Sequence, residues 1–180
     1  MKKIAILVVI LVVLVAVIVA VPTKSDTNTD FLRIHIRADS NASADQQVKY
    51  QVKSAVVDYL TPYLANATSK KLAMEVVKSH LSDIEKVCDE VLAQNGFDYT
   101  SHAKLTAEQF PDRTYGEVTL EAGVYDALII ELGSGSGNNW WCVVYPPLCF
   151  VGGESNGTSQ IVYKSKLLEI INKWKSEHGK

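Results

Sequence analysis

Residues 31–60 read FLRIHIRADSNASADQQVKYQVKSAVVDYL, and the fold depends on two patterns in this stretch. From Phe31 to Ala38 apolar and polar side chains alternate, which is typical of a β-strand with one buried face. Several helix-capping residue types follow between Asp39 and Asp45, and apolar residues then recur at helical spacing as far as Pro62. The sequence therefore predicts a first strand followed directly by a first helix.

A second helical pattern begins at Thr68 or Ser69 and carries apolar residues on one face as far as Leu92. Gly96 follows this pattern, and a glycine in such a position is a common left-handed C-cap. Residues 161–174 show the same spacing near the end of the chain. We therefore expect two central helices and one terminal amphipathic helix.

Three further segments alternate between apolar and polar residues as strands do. They are Phe97 to Leu105, Glu117 to Leu120 and Val124 to Leu132, the last two on either side of an Ala122-Gly123 turn. Strands that are segregated from helices along the chain are typical of α+β domains. We predict one domain over residues 31–180, in which two central helices and a C-terminal helix pack on a mostly antiparallel sheet.

The N-terminus is hydrophobic and precedes the domain. After Lys2 and Lys3, the eighteen residues from Ile4 to Val21 contain no polar side chain. A signal peptide core has about 7 to 15 apolar residues and a membrane-spanning helix about 20, so residues 1–21 fit either a cleaved signal peptide or a retained membrane anchor. The two lysines favour a cytoplasmic N-terminus. We expect residues 22–30 to be a flexible tether and the domain to lie outside the cytoplasm, secreted or membrane-anchored.

Charge and motifs exclude several classes of function. The chain has 18 basic and 20 acidic residues, and no block of lysines and arginines, so we expect no nucleic-acid partner. None of the four histidines lies in an HExxH motif, and no GxSxG motif is present. The cysteines and histidines also lack the spacing of a zinc site. We expect no enzymatic activity, no cofactor and no metal.

The most unusual segment runs from Gly133 to Phe150 and reads GSGSGNNWWCVVYPPLCF. A phosphate-binding loop needs a helix immediately after its glycines, and here two tryptophans follow, so we expect a flexible turn. Trp140 and Trp141 are adjacent, and in an extended chain they point to opposite faces, one toward the core and one outward. Large aromatic residues are frequent interface anchors. The candidate partner-binding residues are Asn139, Trp140, Trp141, Tyr145, Pro146 and Pro147.

The chain has three cysteines. Cys142 and Cys149 are seven residues apart, in a domain expected outside the cytoplasm, where a disulfide persists. A disulfide, two buried thiols, and a nucleophilic cysteine assisted by a distant histidine all remain open for this pair. Cys88 lies on the apolar face of the second helix and is expected to be a small buried residue.

The sequence resembles the stage II sporulation protein R family in two regions. Residues 31–49 are similar to the opening of that family, which has an F-x-R-x-H-V-x-A-N-S type of strand followed by Asp-Gln and a helix. The second region carries the family signature in the same order, with Phe110-Pro111, Tyr115-Gly116, the LEAGVYDAL of residues 120–128, and NWWC with PPLC in residues 137–150. Asp39 stands where the family commonly has Asn, and Glu121 where it often has Pro.

This resemblance implies a signalling protein. Members are made in the forespore, cross its membrane into the intermembrane space and trigger a membrane-embedded aspartic protease of the mother cell. That protease then matures the pro-form of sigma factor E. Two other hypotheses remain from the residues themselves. One is an envelope thiol enzyme that uses Cys142 or Cys149, and the other is a cell-wall or small-ligand binding module that uses the Trp140 and Trp141 rings.

Overall fold

The computed structural model describes residues 30–115, 118–150 and 168–177, with only the backbone of residue 118. The strands are β1 Leu32–Arg37, β2 Ser101–Phe110, β3 Arg113–Tyr115, β4 Val118–Leu120, β5 Gly123–Leu132 and β6 Asn139–Tyr145. The helices are α1 Ser43–Leu64, α2 Lys70–Ser79, α3 Leu81–Gln94 and α4 over residues 168–177, and Leu148–Phe150 forms one 3₁₀ turn.

The predicted signal peptide or anchor, residues 1–21, and nearly all of the predicted tether lie outside these described residues. None of the helices that the structure describes is long and apolar enough to span a membrane.

Four strands form the main sheet in the order β2-β5-β1-β6. β1 runs parallel to β5 and antiparallel to β6, and β2 runs antiparallel to β5. The predicted α+β class is confirmed, and the sheet is mixed because its central pair is parallel. Alternation along a strand shows which side chains share a face but not the direction of the neighbouring strand, so the parallel pair could not be predicted.

The second predicted helix is two helices, because the chain bends at His80. The backbone N–H of His80 donates to Val77 at the end of α2, and its carbonyl accepts from Ile84 in α3. At the start of α2 the Ser69 side chain accepts from the Leu72 N–H, as its capping residue type predicts. Gly96 has a φ of +78°, in agreement with the predicted left-handed C-cap.

The second predicted strand begins and ends later than expected, at Ser101 and Phe110. Phe97 and Tyr99 alternate with polar residues, but they belong to the connection from α3 and pack against the helical core. The region around residue 118 is a separate two-stranded hairpin of β3 and β4.

The main sheet is covered by packed side chains on both faces. The helices pack against one face, where Val52, Val56 and Leu60 of α1 are fully buried, each contributing about 1.5–3 kcal/mol by the usual transfer scale. A smaller cluster on the other face includes Phe110 and Tyr125, together with Leu120 of the hairpin. We call this second side the hairpin face. The prediction of a first strand with one buried face is therefore wrong, since β1 lies between two strands and beneath both clusters.

Candidate functional site

The hairpin face carries a row of charged side chains on the central strand. Strand alternation directs Ile34 and Ile36 of β1 to the helices, and therefore directs Arg33, His35 and Arg37 to the opposite side. Arg33 is fully buried and His35 is 5% exposed. Such burial requires partners for the polar atoms.

Arg33 is held among aromatic rings. Its guanidinium lies 4.2 Å from the ring centre of Phe110 and 4.9 Å from that of Tyr125, and Nη2 donates a 2.8 Å hydrogen bond to the hydroxyl of Tyr115. Cations are attracted to the faces of aromatic rings, most strongly where water is excluded. Arg33 therefore fastens the β3–β4 hairpin to the sheet.

His35 and Arg37 of β1 form an ionic network with carboxylates of β5, the adjacent strand, and of β2, the strand beyond it. Nδ1 of His35 lies 3.1 Å from Oε2 of Glu108. Arg37 bridges Glu108 and Glu131, and the Nη1 to Oε1 distance to Glu131 is 2.6 Å. Lys104 contacts Glu131 from β2 at 3.0 Å. These contacts join three strands of the sheet through their side chains.

The network lowers the pKa of Glu131. Burial alone would raise this pKa, but the hydrogen bonds and positive charges of Lys104 and Arg37 together outweigh burial. Glu131 is therefore ionised at neutral pH, and within the network the two positive charges of Arg37 and Lys104 face the two negative charges of Glu108 and Glu131.

The two adjacent tryptophans lie on opposite faces, and both are half-buried. Trp140 packs against the helical core. Trp141 packs on the hairpin face, with its ring centre 5.4 Å from that of His35, and the guanidinium of Arg113 lies 4.6 Å from the Trp141 ring. Trp141 thus presents a partly exposed ring that is fixed between His35 and an arginine.

The remaining candidate contact residues differ in exposure. Asn139 is half-buried, and Tyr145, Pro146 and Pro147 are buried. The Tyr145 hydroxyl donates to the carbonyl of Thr68 at 2.9 Å, which ties the end of β6 to the connection between α1 and α2. Contact with a partner stays a prediction for this set, and its available surface is that of Asn139, Trp140 and Trp141.

Cys142 and Cys149 are joined in a disulfide, with 6.3 Å between their Cα atoms. This bond links the buried part of β6 to the 3₁₀ turn. Cys88 is a free, buried cysteine, and burial raises the pKa of its thiol to about 12. A thiolate is the nucleophilic form of cysteine, so with the disulfide closed none of the three cysteines offers one at neutral pH.

The glycine-rich segment before β6 is a hydrogen-bonded loop and not the flexible turn expected from its composition. The Gly137 N–H donates to the Ala38 carbonyl at 2.8 Å, and the Ser134 N–H donates to Oδ1 of Asp39 at 2.6 Å. A Cβ on Gly137 would lie 2.2 Å from the Ser40 carbonyl oxygen. We call this contact between residues 133–138 and residues 38–41 the glycine latch. The Asn that the family commonly has at position 39 offers the same acceptor oxygen.

Sequence reasoning missed the ionic network of the hairpin face. The alternation in β1 predicts one buried face, but it does not show what covers the polar face that carries Arg33, His35 and Arg37. The matching carboxylates lie 71 to 94 residues away along the chain. A local pattern gives no signal for pairs at such separation.

The fold and this site define a class: a disulfide-linked α+β domain whose mixed sheet is braced by an internal ionic network. Within the described residues no group of three or more His, Cys, Asp or Glu side chains is placed to hold a metal ion.

The family model for stage II sporulation protein R matches residues 28–155, and the chain belongs to this family. The resemblance noted in the sequence is thereby confirmed. The chain is 36% identical over 92 residues to stage II sporulation protein R of Bacillus subtilis (strain 168). That alignment covers 51% of this chain and 41% of the relative, so the match spans less than half of the relative's length. No solved structure matches the chain.

Proposed function

We propose that this protein is an exported signal that activates a membrane-embedded aspartic protease, which then matures the pro-form of sigma factor E during sporulation. The observation that carries the proposal is membership of the stage II sporulation protein R family over residues 28–155. The disulfide supports an export route, because such bonds form and persist mainly outside the reducing cytoplasm.

In this proposal the domain acts beyond the membrane of the cell that makes it, in the intermembrane space of the forespore. The hydrophobic run from Ile4 to Val21 directs export, and Lys2 and Lys3 keep the N-terminus in the cytoplasm. The protein acts by binding and carries out no chemistry of its own.

Trp141 and Arg113 are the proposed anchors for the protease on the hairpin face. Tryptophan and arginine are enriched among the residues that carry most of the binding energy of interfaces. The Trp141 ring is already held by His35 and Arg113, so little side-chain entropy is lost when a partner packs against it.

The test is co-expression of the protease, the pro-form of sigma factor E and this protein in a host that lacks all three. Cleavage of the pro-form is expected only when all three are present. Equal cleavage with and without this protein would refute the proposal.

A pair of alanine variants then locates the surface. Trp141→Ala should reduce activation by roughly thirtyfold, which corresponds to the loss of about 2 kcal/mol at an interface anchor. Tyr50→Ala is the matched control, because Tyr50 is an aromatic residue on α1 that is 53% exposed. Thermal melts of both variants show whether they remain folded, and a folded Trp141→Ala protein with full activity would exclude this ring as an anchor.

A further inference from the structure

Strand β2 forms one of the two edges of the main sheet, and alternate residues of this strand direct their backbone groups away from β5. The Thr100 carbonyl accepts from Gly133 at the end of β5, whereas the N–H groups of Ser101 and Ala103 donate to side chains of α3. Thr100 and every second residue after it therefore bond to β5, and the backbone groups of the residues between them, beginning with Ser101, face outward.

Side chains of helix α3 accept hydrogen bonds from the outward N–H groups of only the first half of this edge, at Ser101 and Ala103. Oδ1 of Asp89 accepts from the Ser101 N–H at 2.6 Å, and Oε1 of Glu85 accepts from the Ala103 N–H at 2.7 Å. By the same alternation along the strand, Leu105, Ala107 and Gln109 also direct their N–H groups outward. No partner for these three groups occurs in the part of the chain that the structure describes, and Ala107 and Gln109 are exposed. A row of unpaired backbone groups is a template for another strand.

A groove with a cavity volume of about 530 Å³ lies between α2 and β2 at the start of this open half, where Leu105 lines it together with Ala103 and Lys104. Met74, Leu81 and Leu105 supply apolar side chains to it. The charged residues that line it are Lys71, Lys78, Lys104 and Glu75. Lys104 is already paired with Glu131, so Lys71 and Lys78 against Glu75 leave the groove with an excess of one positive charge.

We propose that the edge of β2 from Leu105 to Gln109 binds an extended segment of a partner protein by strand addition, and that this segment presents both apolar and acidic side chains to the groove. The added backbone pairs with the open N–H and C=O groups, and every second side chain of the added strand faces the groove. There its apolar side chains contact Met74 and Leu81, and its acidic side chains meet Lys71 and Lys78. A second copy of this chain is a poorer occupant, because pairing two such edges brings like charges together.

The identity of the partner rests on the proposed function: the segment would belong to the protease. The inference thus concerns how the protease is held, at a place separate from Trp141.

The first test uses a fluorescent eight-residue peptide, Val-Thr-Glu-Thr-Val-Thr-Glu-Thr, titrated into the full-length chain. Its valines and glutamates share one face of an extended strand. Ala107→Pro removes one outward N–H and none of the bonds to β5, and proline is tolerated at such edge positions. Ala107→Val is the control, since it keeps the N–H. We expect Ala107→Pro to weaken peptide binding at least tenfold and Ala107→Val to change it less than twofold. Equal binding by the two variants would overturn the proposal.

A charge test does not depend on the proline variant folding. Lys78→Glu should weaken binding of the glutamate peptide at least tenfold. Lys86→Glu is the control, because Lys86 is paired with Asp83 near Tyr59, on the side of α3 that faces α1. A peptide with lysine in place of glutamate should bind weakly to the parent protein, and equal binding of both peptides would contradict the charge argument.

The cleavage assay separates this inference from the proposed function. If the parent protein activates the protease and Ala107→Pro and Lys78→Glu both fail, the edge holds the protease. If both variants activate the protease as the parent does, the edge of β2 is not the docking site, while the proposed function stands. If the parent itself gives no activation, the proposed function fails, and the peptide titrations alone decide whether the edge accepts a strand.

Discussion

Replacement of Gly137 by alanine tests the glycine latch, because the position combines an ordinary backbone conformation with no room for a side chain. The φ angle of Gly137 is not positive, so alanine can adopt this backbone conformation without the energetic cost of the left-handed region. The added Cβ would lie 2.2 Å from the Ser40 carbonyl oxygen and 3.0 Å from that of Ala38. Both neighbours are backbone atoms, which cannot rotate away, so the latch must open.

The cost follows from the hydrogen bonds that opening removes. The Gly137 N–H donates to Ala38 at 2.8 Å, and the Ser136 N–H donates to Asp39 at 3.2 Å. Each such bond contributes about 1 kcal/mol net, so Gly137→Ala should lower the free energy of unfolding by about 2 kcal/mol. With a urea m-value of about 2 kcal/mol/M, the midpoint should fall by roughly 1 M.

Gly96→Ala is the matched control. Gly96 has a φ of +78° but nothing within 4 Å of an added Cβ, so its cost is the left-handed backbone penalty of about 1 kcal/mol. Urea unfolding of the parent and both variants, followed by far-UV circular dichroism, gives the comparison. If Gly137→Ala destabilises no more than Gly96→Ala, the close approach that defines the latch is not present in solution.

Three further predictions follow from other parts of the molecule. Thiol labelling of the native protein should modify none of the three cysteines, and Cys88 should react only on unfolding. Reduction should make Cys142 and Cys149 reactive and lower the free energy of unfolding by about 2.5 kcal/mol on the chain-entropy relation. Labelling of all three cysteines without reductant would contradict this prediction. Because the folded-state pKa of Glu131 lies below its usual 4.5, its contribution to stability is present above that pH and is lost as pH falls through the folded value. The parent should therefore lose more stability than Glu131→Gln between about pH 5 and pH 3, as measured by thermal unfolding at each pH. An equal loss of stability in the two proteins would refute the ionic network. A reporter fused after Lys180 should be active outside the cytoplasm, and activity only inside would refute the predicted orientation.

Local patterns predicted most of the secondary structure. The strand after Asp30, the capping role of Ser69 and the left-handed Gly96 all depend on a few neighbouring residues, and the structure contains each of them. The first helix was predicted to end near Pro62, and it ends two residues later, at Leu64. A single proline in a last turn removes one donor without preventing the preceding turn from forming. The break at His80 had no strong signal, since neither glycine nor proline marks it.

Pairings between distant residues were beyond the sequence. The glycine latch joins Asp39 to Ser134, 95 residues later, and nothing near either residue predicts the other. The position of β6 next to β1 also brings Trp141 against His35.

The most direct measurement of the central claim uses purified components. The protease is reconstituted in vesicles with the pro-form of sigma factor E on the side of its catalytic domain, and this full-length protein is supplied from the other side. The account predicts that the rate of pro-form cleavage rises with the amount of this protein and saturates, and that the Trp141→Ala variant requires roughly thirtyfold more for the same rate. A cleavage rate that is the same with and without the protein would contradict the account.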